Sequence, residues 1–137
     1  MKPRNCPDWR PAGEPAGENL GLELLLTEAR GFARVAYLAR PEFLNALGSV
    51  QGGFLAAMLD QAMVEAAIAA VPAPAALPTL ELKTSFLRPA PPGRLIGEGQ
   101  VMHRSRAVMF LEGRILTPDG TLLATGSQTA LIRPLPQ

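Results

Sequence analysis

One stretch constrains this chain more than any other. From Phe54 to Val71, eighteen residues contain only three polar side chains, Asp60, Gln61 and Glu65. Ala, Leu and Met dominate the run, and all three favour helix. Gly52 and Gly53 open it, and Pro72 and Pro74 close it, as expected of a helix whose end is set by residues that cannot continue it. A helix that is apolar on nearly all sides has to be buried. The run is short against the roughly 20 apolar residues that cross a bilayer, and it carries two carboxylates, so its cover is expected to be protein and not membrane.

The rest of the chain supplies that cover. Thr79–Leu87 alternates, with Leu80, Leu82 and Phe86 on one face and Glu81, Lys83 and Ser85 on the other, the period of a strand. Arg94–Met102, Ala107–Leu116 and Thr121–Ile132 read as three more strands. A Pro-rich break spans Arg88–Gly93, and Pro118-Asp119-Gly120 is a turn signal. Ahead of the helix, Phe32–Ala39 favours strand, Leu20–Ala29 suits strand or helix, and Pro41–Val50 reads as loop. Gly97, Gly99, Gly113 and Gly126 lie inside strands, where glycine marks a bend or a close backbone approach. The expected architecture is α+β, a curved antiparallel sheet wrapped around one long central helix. At 137 residues one domain is expected, over 18–137. Residues 1–17 hold Pro3, Pro7, Pro11 and Pro15 and read as a flexible tail; Trp9 lies within it.

Charge and rare residues exclude several functions. Thirteen basic against twelve acidic residues leave no surplus for a nucleic-acid backbone. A single cysteine, Cys6, and a single histidine, His103, rule out an internal disulfide and a Cys/His metal cluster. Neither a metal nor a resident cofactor is expected. The first residues lack a secretory pattern, so a cytoplasmic location is expected. No phosphate-binding loop occurs, and in Gly48-Ser49-Val50-Gln51-Gly52 the serine stands one place too early for a nucleophile elbow. Ser105 lies near His103, but strand alternation explains that spacing.

Asp60 is the informative side chain. Its helical neighbours at three and four residues are Ala56, Ala57, Met63 and Val64, all apolar. Gln61 and Glu65 share another face, which reads as solvated. An isolated carboxylate beside apolar surface suits a base or nucleophile. Two plainer readings stand beside this one: a place at the edge of the solvated face, or a hydrogen bond across a dimer interface. Gly52-Gly53 would present free N–H groups at the positive end of the helix, which suits a developing oxyanion; a tight loop-to-helix turn also explains two glycines. Asn45 is a candidate ligand contact or ordinary turn chemistry, and Thr79 opens a strand after Pro78.

The segment Asn45-Ala46-Leu47-Gly48-Ser49-Val50-Gln51-Gly52-Gly53, with Asp60 seven residues on, resembles the hot-dog-fold acyl-CoA thioesterases of the PaaI type. Their pattern is N-x-x-G-x-x-H-G-G followed by an acid. The resemblance covers roughly residues 20–132 by spacing and element order. It implies hydrolysis of an acyl- or aryl-CoA thioester, with CoA as part of the substrate. Asp60 would be nucleophile or general base, the Gly52 N–H would polarise the carbonyl, Asn45 would orient thioester or water, and Thr79 would stand near the attacking water. Gln51 replaces the usual histidine of the pattern, and the resemblance places Gln51 and Gly53 in the substrate-binding segment. His103-Arg104-Ser105-Arg106 is similar to a family H-x-G-[RK] segment, with Ser105 in place of glycine. Arg88, Arg104 and Arg106 suit CoA phosphates because the guanidinium fork binds two oxygens; a solvated strand end accounts for each as well.

Spacing adds an assembly requirement. Seven residues beyond Gly53 places Asp60 about 10 Å further along the helix axis, whereas a thioester carbon must lie about 3 Å from both the attacking group and the oxyanion donor. Two copies related by a two-fold axis would bring Asp60 of one to Gly52 of the other. A homodimer is therefore expected, and the resemblance implies a homotetramer. A non-catalytic acyl-CoA-binding module and a hot-dog dehydratase or hydratase are the alternatives. The second would need His103 as its acid–base partner. Phe54, Leu55, Met58 and Met63 are candidates for an acyl pocket or for plain core.

Overall fold

The structure, a computed structural model, describes residues 14–72 and 74–135. In chain order the elements are α1 (Pro15–Asn19), β1 (Glu23–Glu28), β2 (Phe32–Ala39), a short 3₁₀ turn (Pro41–Phe43), α2 (Gly52–Ala70), β3 (Ala75–Ala76), β4 (Thr79–Phe86), β5 (Gly93–Arg104), β6 (Val108–Leu116), β7 (Leu122–Leu131) and β8 (Arg133–Pro134). Six strands form one antiparallel sheet in the order β1-β2-β5-β6-β7-β4. The two-residue strands β3 and β8 pair separately. The segment compatible with helix or strand is a strand, β1, paired along β2.

α2 is the core helix of this sheet. Met58, Leu59, Ala62, Met63 and Ala66 are fully buried, each large one contributing about 1.5–3 kcal/mol of burial. Length and apolarity alone would let α2 cross a membrane, but its apolar side chains join those of the strands in one core. The helix rides close to the strands because the strand glycines permit it. A Cβ on Gly99 would stand 2.3 Å from the Ala62 carbonyl oxygen, and one on Gly113 would stand 2.9 Å from the Met63 side chain. Gly99 and Gly113 are paired across β5 and β6, and Gly113 and Gly126 across β6 and β7, so a row without side chains runs beneath the helix. This is the hot-dog architecture expected from the sequence.

Two expectations need correction. The prolines of residues 1–17 predict a segment without helix, yet Pro15 occupies the first turn of α1, where its missing N–H and preset φ are acceptable. Gly17 and Leu20 are buried. The ordered unit therefore begins before residue 18; Cys6 and Trp9 lie outside the described residues. The face of α2 bearing Gln61 and Glu65 is also not freely solvated. Gln61 is buried, and its Nε2 donates to Glu14 and to Glu65, both at 3.1 Å. Burial pushes the Glu65 carboxyl up, and the nearby Glu14 adds to this, while the Gln61 hydrogen bond opposes it. Tyr37, buried under α2 with its hydroxyl donating to the Met58 carbonyl at 2.8 Å, is likewise pushed up by burial and then by Glu65, Glu14 and Asp60.

Candidate active site

Asp60 sits two turns into α2, partly buried. Thr79 Oγ1 donates to its Oδ1 at 2.8 Å, and Gln128 Nε2 donates to the same oxygen at 2.5 Å. Gln128 also donates to Thr79 Oγ1, closing a three-residue ring. Among the described residues, Oδ2 accepts no hydrogen bond. The reading of Asp60 as a residue at the edge of a solvated face is therefore set aside: its carboxylate is turned toward the sheet and held there.

A bulge makes this contact. Along β4, Leu82 pairs with Gln128 and Glu81 with Thr129, but Thr79 pairs with Ala130, and the register shifts between Thr79 and Glu81. Strict alternation from Glu81 would point Thr79 away from the helix. The extra residue, Leu80, returns Thr79 to the inward face occupied by Gln128 and Ala130, and a bulge commonly re-aims a side chain in this way. Leu80 is left 58% exposed, so it does not share a buried face with Leu82 as alternation predicts. Phe86, also assigned to that face, is 52% exposed. Its ring lies against Gly52, where a Cβ would meet Phe86 Cζ at 3.1 Å.

Gly52 is the first residue of α2, and Gln51 is its N-cap. Gln51 Oε1 accepts the Gly53 N–H at 2.8 Å. Among the described residues, the Gly52 N–H has no acceptor, as expected for an orphan donor in the first helical turn. The sequence singled out both glycines; the structure spends one on the cap and leaves the other available, with Gln51 serving that cap. Asn45 is exposed, and its Oδ1 accepts from the Leu47 N–H at 2.9 Å and the Ser49 N–H at 3.2 Å. Its carbonyl thus does turn chemistry, and its amide nitrogen is the group left for a ligand.

The cationic candidates do not converge in one protomer. Arg88 lies toward the start of α2: its backbone N–H donates to Leu123, and Ala90, two residues on, accepts from Val50. Arg104 Nη1 donates to the carbonyl of Ala70 at 2.7 Å, capping the opposite end of the helix. Eighteen residues of helix separate Gly52 from Ala70, about 27 Å. Arg106 and His103 belong with Arg104, and His103 tilts against Phe110 with 6.3 Å between ring centres. Of the two readings of the apolar helix residues, core is the one their packing fits: Leu55, Met58 and Met63 are buried, and Phe54 stacks on Phe43 at 4.2 Å. A cavity of about 550 Å³ opens on the sheet face away from α2, beside Glu98, Gln100, Glu112 and Arg114, and so lies across the sheet from Asp60.

Gln128 is the site residue that sequence reasoning missed. A glutamine in a strand carries no motif, and only the inward parity it shares with Gly126 and Ala130 hinted that a polar group was being buried.

A curved sheet around one helix, with an acid anchored from the sheet and a free N–H at the helix start, defines a hot-dog-fold protein. The model of the thioesterase superfamily matches residues 47–124, more than half of the chain, and the chain belongs to that family; it is of the PaaI type. The structure is similar to a phenylacetic acid degradation-related protein of Ralstonia eutropha, with 37% identity over 88% of this chain and 92% of that one and a TM-score of 0.81. It is also similar to a mutant of the phenylacetic acid degradation protein PaaI from Thermus thermophilus, with 28% identity over 89% and 100% of the chains and a TM-score of 0.76. The PaaI protein of E. coli, 23% identical over 87% and 84%, shares the fold at a TM-score of 0.78. No curated protein matches the chain.

Proposed function

We propose that this protein hydrolyses an acyl- or aryl-CoA thioester to free acid and CoA, at sites shared between two protomers. The observation that carries the reading is the state of two groups on α2. Among the described residues, Asp60 is held through Oδ1 with Oδ2 unengaged, and the Gly52 N–H, at the positive end of the same helix, has no acceptor. Eight residues of helix, about 12 Å, keep them from acting on one carbonyl within one chain. A two-fold axis would place Asp60 of one subunit opposite the partner's Gly52 and make two equal sites. The edge strand β4, with Leu80 and Phe86 exposed, supports pairing there, since an unpaired apolar edge is a template for a second chain. Two such dimers would form the tetramer, in the cytoplasm.

In the general-base route, Asp60 Oδ2 takes a proton from water as its oxygen bonds to the thioester carbon. The oxyanion that develops is held by the Gly52 N–H and the helix dipole. The C–S bond then breaks, and the proton passes to the CoA thiolate. In the nucleophilic route Oδ2 itself attacks, and the C–S bond breaks as CoA leaves as its thiolate and takes a proton from water. A water then hydrolyses the resulting anhydride to release the acid and restore Asp60. Asn45 would orient the thioester or the water through its free amide, and Thr79 holds the acid. Arg88 of one subunit and Arg104 and Arg106 from the other end of a partner helix would meet the CoA phosphates. The names of the relatives make a phenylacetyl or related aryl-CoA the first substrate to try.

The test is thiol release from a panel of acyl- and aryl-CoAs by wild type and Asp60→Asn together. Wild-type turnover with loss of about 10³-fold or more in the variant is expected. Binding of a CoA ester without turnover in either would identify the non-catalytic acyl-CoA-binding module, and hydration of crotonyl-CoA would identify the hydratase.

A further inference from the structure

We infer that Gln128 is a positioning residue that selects which oxygen of Asp60 reacts. It lies on β7, 68 residues from Asp60, and is 3% exposed. Its Nε2 donates both to Asp60 Oδ1 and to Thr79 Oγ1. That fixes the amide's orientation: turned over, its carbonyl oxygen would face a carboxylate oxygen, a repulsive contact. The consequence is an orphan. Gln128 Oε1 is buried and accepts no hydrogen bond among the described residues. Leaving a buried acceptor unpaired is destabilising, a cost an apolar side chain of equal length would avoid. Stability does not account for a glutamine here, whereas holding the acid does.

Two donors on Oδ1 do two things. They stop the carboxylate rotating about its Cβ–Cγ bond, and they make Oδ1 the poorer base by engaging its lone pairs. Oδ2 is left as the oxygen that takes the proton or attacks. Thr79 alone would supply one donor from an exposed strand edge. Gln128 supplies the second from the buried face and also orients the Thr79 hydroxyl by donating to it.

The catalytic part of this inference rests on the thioesterase reading; the contact does not. Gln128→Met keeps length and burial and removes the donor and the orphan acceptor together. The expected result is a kcat lowered about 10- to 100-fold, as for a misplaced reacting group, with KM for the same CoA ester within about twofold and a melting temperature equal to wild type or higher. Thr79→Val lowers kcat too, and the double variant loses less than the product of the two single losses, because both residues act through one oxygen. A Gln128→Met enzyme with wild-type kcat, beside an inactive Asp60→Asn, would overturn the assignment and leave the hydrolase reading standing. So would a kcat loss that vanishes when rates are referred to folded protein. If wild type releases no thiol from any ester, the hydrolase reading fails, and the side-chain amide of Gln128 still reports the contact by NMR. A displaced, exchange-protected Nε2–H signal that moves in Thr79→Val and Asp60→Asn supports it; a solvent-like signal that moves in neither overturns it.

Discussion

Thr79 and Asp60 are joined by a 2.8 Å hydrogen bond that exists only because β4 bulges at Leu80. Thr79 opens an edge strand and Asp60 lies mid-helix, nineteen residues earlier. Were Leu80 paired in regular alternation instead of bulged, Thr79 would face away from the helix. Deleting Leu80 removes the bulge but makes Thr79 the direct neighbour of Glu81, so alternation alone keeps it inward opposite Ala130. The deletion should therefore retain the turnover that Thr79→Val loses. Thiol-release kinetics on the deletion and on Thr79→Val, with circular dichroism alongside, measure this; a folded deletion variant as impaired as Thr79→Val would refute it.

The shared site makes a prediction of a different kind. Gly52→Pro removes the N–H from the first helical position, where proline is tolerated, and Gln51 already has the extended backbone that a following proline requires. Gly52→Pro and Asp60→Asn are each expected to be inactive alone. Refolded together, they form mixed dimers with one intact site, so activity returns to about a quarter of the wild-type value for random pairing. No recovery on mixing, with dimers present by sedimentation, argues for a site within one subunit.

Charge reversal separates the arginines. Arg88→Glu is expected to raise KM for a CoA ester several-fold and to spare a short N-acylcysteamine thioester, which has no phosphates. Arg104→Glu should do the same and also lower the melting temperature, since Arg104 caps the last turn of α2 at Ala70. Equal loss on both substrates would remove either residue from CoA binding.

Packing beneath the helix is the point most sensitive to substitution. A Cβ on Gly99 would lie 2.3 Å from the Ala62 carbonyl oxygen, and neither backbone can yield without lifting α2 from the sheet. Gly99→Ala is expected to cost about 3 kcal/mol, at the upper end for overpacking, read by denaturant unfolding. A loss below about 1 kcal/mol would mean the helix does not ride this close.

Glu65 sets a pH dependence. Its carboxyl is raised above the ordinary 4.5, first by burial and further by Glu14, against the Gln61 hydrogen bond. The folded protein thus holds this proton more tightly than the unfolded chain does. Its contribution favours folding at low pH and is lost as pH rises through the raised value. Glu65→Gln, which keeps an oxygen for Gln61, should raise the melting temperature by a few degrees near neutral pH and converge with wild type on acidification. A difference that does not narrow toward acid pH would contradict the assignment.

Much of the architecture was legible because it is local. The helix over Gly52–Ala70, the strand over Phe32–Ala39 and the turn at Pro118-Asp119-Gly120 are written in periodicity, propensity and punctuation, which act over a few residues. Asn45, Gly52 and Asp60 stood out for the same reason: each is a polar or glycine exception in an otherwise consistent segment. What sequence reasoning misjudged is long-range. The face bearing Gln61 reads as solvated along the chain, and only the arrival of Glu14 from α1, across 47 residues, buries it.

The chain's own order of residues therefore determined a single apolar helix, the strands that must cover it and an acid placed partway along it, since hydrophobic period and turn chemistry leave little choice at that scale. Only the tertiary structure decided what that acid touches. Strand order put β7 and β4 side by side, and one bulge turned Thr79 inward. Together they made Gln128 and Thr79 joint holders of one oxygen, a relation set by packing between segments that have no neighbours in common along the chain.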